Sequence, residues 1–153
     1  LATVTSTFIM NVIGYLAVLV VLQLLGTDVH WLQLVLVVPL IILVWVFACA
    51  IGLIASAAQV FIRDIAQILP PVMMLWFFTT PILYSPSYLP ASVQGFAEWN
   101  PMAWVVARLR ELILFGEVNL GWTALFISLF IAVLAFLALR FFRRLEGHFE
   151  DFL

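Results

Sequence analysis

The residues able to do chemistry in this chain are few and sharply grouped. Between Val29 and Ala97 the only formally charged side chains are the neighbours Arg63 and Asp64, set between two apolar runs. All six basic residues are arginines, at 63, 108, 110, 140, 143 and 144, and there is no lysine. A Walker A phosphate loop needs a lysine on the nucleotide phosphates, so the chain does not hydrolyse nucleotide by that route. His30 and His148 stand far apart without HExxH-type neighbours and read as interfacial polar residues. The lone Cys49, in the run from Trp45 to Ala50, makes neither an internal disulfide nor a Cys-pair metal site and reads as a packing residue. No apolar run carries an ionisable group at its centre, which argues against a proton or coupling-ion relay.

What remains is aromatic and proline chemistry. Trp76, Phe77, Tyr84 and Tyr88 cluster near one end of a run interrupted by Pro70, Pro71 and Pro81. Aromatic faces at a membrane interface commonly anchor the protein to lipid. The alternative is a platform along which the apolar faces of sugars slide without fixed hydrogen bonds. The prolines each remove an N–H, and irregular backbone at membrane depth is tolerated only where protein or water covers it. The run is therefore either a kinked packing helix or the wall of a pathway. Trp45 and Phe47, deeper in the preceding run, read as packing residues.

The elements that must position these residues are membrane spans. The 153 residues are 67% hydrophobic and 9% charged, where a soluble domain carries roughly 25% charge. Mean hydropathy is +1.26, so the solvent for this surface is lipid. The expected fold is an all-α membrane protein, a single transmembrane domain of four transmembrane helices with a re-entrant or interfacial helical hairpin before the last. The spans are placed at about 5–25, 32–59, 65–84 and 121–139, the hairpin at 85–118 and a tail at 140–153. Gly26 to His30 form a polar turn, and Pro39 is placed to kink the second span. Gly52, Ala55, Ser56, Ala57 and Ala58 are small enough for close helix approach in lipid. Arg63 closes one helix and Asp64 opens the next as N-cap; the alternative for this pair is a corner against a partner protein.

In the hairpin, Pro90 starts a short helix ending near Trp99. Asn100-Pro101 is a helix-start signal, an N-cap side chain followed by a ring that needs no N–H. The helix that follows is amphipathic, with Trp104, Val105, Leu109, Leu112 and Ile113 on one side. Arg108 and Glu111 pair at i,i+3 as a surface ion pair or as part of an ordered external lid, and Gly116 suits the C′ position. Arg140, Arg143 and Arg144 directly after the last span mark its cytoplasmic side. Counting back, the Arg63-Asp64 turn is cytoplasmic, while the Asp28 turn and the hairpin are external. Arg108 and Arg110 then stand against the charge bias, with Glu111 and Glu117 as nearby partners. Leu1 leads almost directly into a span, so the chain is expected to be the later part of a longer protein.

The order Phe61-Ile62-Arg63-Asp64-Ile65, Pro81-Ile82-Leu83-Tyr84, Asn100-Pro101, Arg110 with a Gly116 turn, and Arg140-Phe141-Phe142-Arg143-Arg144 resembles the permease subunits of type-2 ABC exporters. The similarity is greatest to the branch that exports lipid-linked polysaccharides such as O-antigen, capsule and teichoic acid. The resemblance implies a six-span homodimer in the bacterial cytoplasmic (inner) membrane. It also implies a separate ATPase subunit that holds ATP and Mg, with no cofactor in this chain and no nucleic-acid partner. These residues would be spans three to six, without the first two spans and the main coupling helix. Pro90, Asn100, Pro101, Arg108 and Glu111 would belong to paired external gate helices, and Arg63 and Asp64 to the corner near the ATPase. Trp76, Phe77, Tyr84 and Tyr88 would line the path of the glycan among membrane lipids. The alternatives are a drug- or lipid-exporting permease of the same fold and a membrane scaffold with no transport path.

Overall fold

A computed structural model describes residues 2–26, 34–62, 64–84, 99–115 and 120–146. Among them run the helices α1 (Ala2–Leu24), α2 (Leu34–Phe61), α3 (Ile65–Thr79), α4 (Pro101–Phe115) and α5 (Gly121–Glu146), and no strand. The all-α membrane architecture holds. Three helices, α1, α2 and α5, are long and apolar enough to cross a membrane. Their 23, 28 and 26 residues give lengths of about 35, 42 and 39 Å against a hydrocarbon layer of ~30 Å.

The third element departs from the expected continuous span over 65–84. Its helix has 15 residues, about 22 Å, and stops short of a full crossing. The cause is local. Pro81 disfavours helical backbone at the residue before it, and Thr80 turns extended at φ −89°, ψ 120°. Pro70 and Pro71 lie inside α3, and the helix continues through both. Pro39 likewise sits inside an unbroken α2.

Other boundaries shift by smaller steps. The last helix does not end at Leu139 but runs on through Arg140, Arg143 and Arg144 to Glu146, where cations suit the negative end of the helix dipole. Asp64 occupies the N-cap position of α3, but its side chain makes no capping bond. Its backbone is helical, φ −73° and ψ −12°, whereas a capping side chain requires extended backbone to reach back to the helix N–H groups. Only its carbonyl serves the helix, accepting from the N–H groups of Gln67 and Ile68 at 3.0 and 3.1 Å. Past the end of α1, Gly26 adopts a left-handed φ of +85°, the conformation that glycine supplies at a helix terminus. Arg63, Tyr88, Pro90, Gly116, Glu117 and both histidines lie outside the described residues.

The bundle is organised around α2, which packs most extensively on α5 and also touches α1, α3 and α4. Val4, Phe8, Val12, Tyr15 and Leu19 recur at spacings of four and three and form the covered face of an otherwise exposed α1. The Phe8 ring lies 6.2 Å from Trp45, which supports packing as the role of that tryptophan. Small residues set the α2–α5 contact: Ala50, Leu53 and Ala138 form a buried cluster, bordered by Ile54, Leu134, Ala135 and Phe142. Ala57 is fully buried beyond it. Lipid tails are as apolar as the helices, so close van der Waals contact between small residues is what holds such a pair together. Ala138→Leu should overpack this seam and destabilise the bundle by about 1–3 kcal/mol, read as a lower midpoint in a detergent unfolding titration. An unchanged midpoint would mean the seam is loose.

A groove lined by Val4, Gly52, Ser56, Phe142 and Arg143 brings the start of α1 level with the later part of α2 and the end of α5. The arginines of α5 therefore mark one end of the bundle, and α3 sets out from the Asp64 corner that follows α2. No residue of α3 is buried, and Met74, Leu75 and Phe78 are exposed.

Candidate functional site

The short helix α3 leaves an unfinished end, and a polar network is built there. Trp76 carbonyl accepts from the Thr80 N–H at 3.0 Å and from the Thr79 and Thr80 hydroxyls at 2.9 Å each. Thr80 is 3% exposed and is the one buried polar residue among those described. Its hydroxyl oxygen accepts in turn from Asn100 Nδ2 at 2.9 Å. Asn100 Oδ1 accepts from the Trp76 indole N–H at 3.3 Å and from the backbone N–H of Met102 at 3.0 Å. The last bond is the expected N-cap of α4, completed by the Trp104 N–H donating to the Asn100 carbonyl at 3.1 Å. Asn100 thus starts one helix while fastening it to the end of another.

Two contacts give the depth of this network. Phe47 is the fourteenth of the 28 residues of α2, and its ring stands edge-on to Trp76 with centroids 5.8 Å apart. Trp76 is the residue that reaches Asn100. The start of α4 is therefore held well inside the length of a spanning helix.

Further along α4, Arg110 grips the backbone that follows α3. Its Nη2 donates to the carbonyls of Pro81 at 3.1 Å and Ile82 at 3.0 Å, and its Nη1 to that of Tyr84 at a longer 3.5 Å. Residues 80–84 leave the helix and so lose the regular partners of their carbonyls, and one planar guanidinium supplies several donors to them. The Tyr84 hydroxyl donates to the Phe78 carbonyl at 2.6 Å, folding the segment back on α3. The neighbouring Arg108 pairs with Glu111 at 2.6 Å, as the i,i+3 spacing predicts.

The helix α4 is covered on two sides. Val105 and Leu112, seven residues apart, are buried on one, and Ala103 is buried on the side it shares with Arg110. Ile113, expected on the apolar face with Val105, is instead 46% exposed. The Trp104 indole N–H donates to Thr123 Oγ1 at 3.2 Å and ties α4 to the start of α5.

The structure thus joins Trp76, Tyr84, Asn100 and Pro101 in one assembly with Thr80 and Arg110. Trp76 and Tyr84 use their polar atoms to hold that assembly. Phe77 stands apart, 42% exposed, with its ring against Phe78 at 5.6 Å. Asp64 lies exposed at the other end of α3. Thr80 and Arg110 were not singled out from sequence as site residues. The signals for them were Thr80's place before Pro81 and an arginine positioned against the charge bias.

Comparison with known proteins bears on all of these elements. A family model described as ABC-2 type transporter matches residues 1–114. An O-antigen export system permease protein, RfbA of Klebsiella pneumoniae, is 31% identical over 109 residues, covering 71% of this chain and 41% of its own length. The polysialic acid transport protein KpsM of Escherichia coli is 25% identical over 151 residues, 94% of this chain and 57% of its own length. The chain spans about half the length of these relatives. With three helices able to cross a membrane and a match over most of its residues, the chain belongs to the ABC-2 type transporter family of membrane permeases.

Proposed function

We propose that the chain is the membrane-spanning part of an ATP-driven exporter that moves a lipid-linked polysaccharide across the bacterial cytoplasmic membrane. The observation that carries this reading is the short helix α4, pinned to the end of α3, in a chain whose relative over nearly its full length is named for polysialic acid transport. A second relative, matched over 109 residues, is named for O-antigen export. The chain has no lysine for a Walker A loop, so ATP and Mg would be held by a separate ATPase subunit. The lipid-facing exposure of α1, α3 and α5 leaves room for further spans and for a second copy in a homodimer. In this reading α4 and the segment 80–84 form part of an outer gate, and the exposed aromatic Phe77 faces the route of the polymer. Asp64, with Arg63, stands at the corner nearest the ATPase.

Cells lacking the full-length protein should show no surface polymer and should retain the lipid-linked form inside. Re-expression should restore the polymer, and Phe77→Ala should restore less of it while melting like the parent protein in detergent. A full polymer coat in the deletion strain rejects the substrate class. A full coat with Phe77→Ala rejects the aromatic wall alone.

A further inference from the structure

The arginine end of α5 combines two features that the transport reading does not use. Arg140, Arg143 and Arg144 fall within an arc of about 100° on the last turns of the helix. All three are exposed, and the only ion pair among the described residues is Arg108 with Glu111. Three cations thus crowd one face. The helix dipole and the side of the membrane account for positive charge here. They do not account for what lies between the arginines and the bundle.

Three apolar grooves open onto these guanidinium groups. The largest, about 570 Å³, has walls of Ile54, Leu137, Ala138 and Phe141 between α2 and α5, with Arg140 and Arg144 at its mouth. A second, about 430 Å³, runs between α1, α2 and α5 and ends at Arg143. A third, about 400 Å³, lies along Phe136 and Leu139 and reaches all three arginines. Aliphatic walls leading to a cation suit an acyl chain whose head carries a phosphate, and arginine binds phosphate through paired charge-assisted hydrogen bonds. Basic pockets between spanning helices are sites for multiply charged lipid heads. Several grooves sharing one cluster of three cations call for several chains on one head with more than one phosphate.

We propose that the end of α5 is a binding site for cardiolipin, with its phosphates on Arg140, Arg143 and Arg144 and its acyl chains in the flanking grooves. The site is independent of which substrate the protein carries. The full-length protein, stripped of lipid in detergent, would be offered equal amounts of cardiolipin, phosphatidylglycerol and phosphatidylethanolamine and analysed by native mass spectrometry. Cardiolipin adducts should dominate. The double substitution Arg140→Gln/Arg144→Gln should weaken cardiolipin binding on the order of 10- to 30-fold, while Arg140→Lys/Arg144→Lys keeps most of it and shows that the fold survives. Leu137→Trp, which fills the largest groove with every arginine in place, should also weaken it. Equal retention of phosphatidylglycerol overturns the assignment, as does full binding in the glutamine variant. Unchanged binding with Leu137→Trp overturns the groove and leaves surface charge alone. Displacement of cardiolipin by an equal amount of polyprenyl diphosphate overturns it in favour of a lipid-linked ligand. A Leu137→Cys disulfide between two copies overturns it in favour of a second protomer.

Discussion

Replacing Arg110 by alanine is expected to release residues 80–84 from α4 and to lower stability by about 1.5–3 kcal/mol, the range for hydrogen bonds made by a charged group. Three carbonyls lose a shared donor, those of Pro81, Ile82 and Tyr84. The site is only partly buried, so the total is held to that range rather than multiplied by three. Arg110→Lys should recover only part of the loss, because an ammonium is a point charge and lacks the planar fork that spans successive carbonyls. The measurement is thermal unfolding in detergent beside surface polymer in cells. Parent-like melting of Arg110→Ala would show that water serves these carbonyls equally well. Parent-like behaviour of Arg110→Lys would show that charge alone suffices.

Asn100→Ala is expected to have the other large effect. It removes an N-cap, worth about 0.5–2 kcal/mol, and leaves the Thr80 hydroxyl and the Trp76 indole without the partners they have in this structure. An unsatisfied buried polar group adds about 1–3 kcal/mol; the Thr80 hydroxyl still donates to the Trp76 carbonyl, so that cost falls mainly on the part-buried Trp76 indole. The total should be about 2–4 kcal/mol. A double-mutant cycle with Trp76→Phe isolates the link between the helices. That change deletes the indole N–H and keeps a ring against Phe47. A coupling of about 0.5–3 kcal/mol is expected for residues sharing one network. A coupling near zero would mean that Asn100 acts on α4 alone.

Sequence reading succeeded where the determinants were close together along the chain. The Asn100-Pro101 helix start and the Arg108–Glu111 pair each depend on residues within three positions, and both are found as read. Helix lengths were legible because the thickness of the lipid imposes them. The end of α3 is half legible: Pro81 interrupts the apolar run, but the run itself continues to Tyr84 and so suggests a longer span. The Arg110 grip was not legible. It joins residues 26 to 29 positions apart, and a charged side chain on an amphipathic helix more commonly faces water. Asp64 shows the reverse error. Its residue type suits an N-cap, yet the backbone at the α2–α3 corner turns helical and takes its carboxylate away from the N–H groups.

The early end of α3 also has a consequence in time. The carbonyls of Pro81, Ile82 and Tyr84 find a donor in Arg110, which leaves the ribosome 26 to 29 residues later. At about 5–20 residues per second that is an interval of roughly one to six seconds. During it the third apolar segment has reached the bilayer with part of its backbone unpaired. Unlike α1, whose helical hydrogen bonds all lie within its own residues, this segment depends on a later residue for part of its bonding. Its packing on the bundle is therefore expected to be completed only after residues 100–110 have been made.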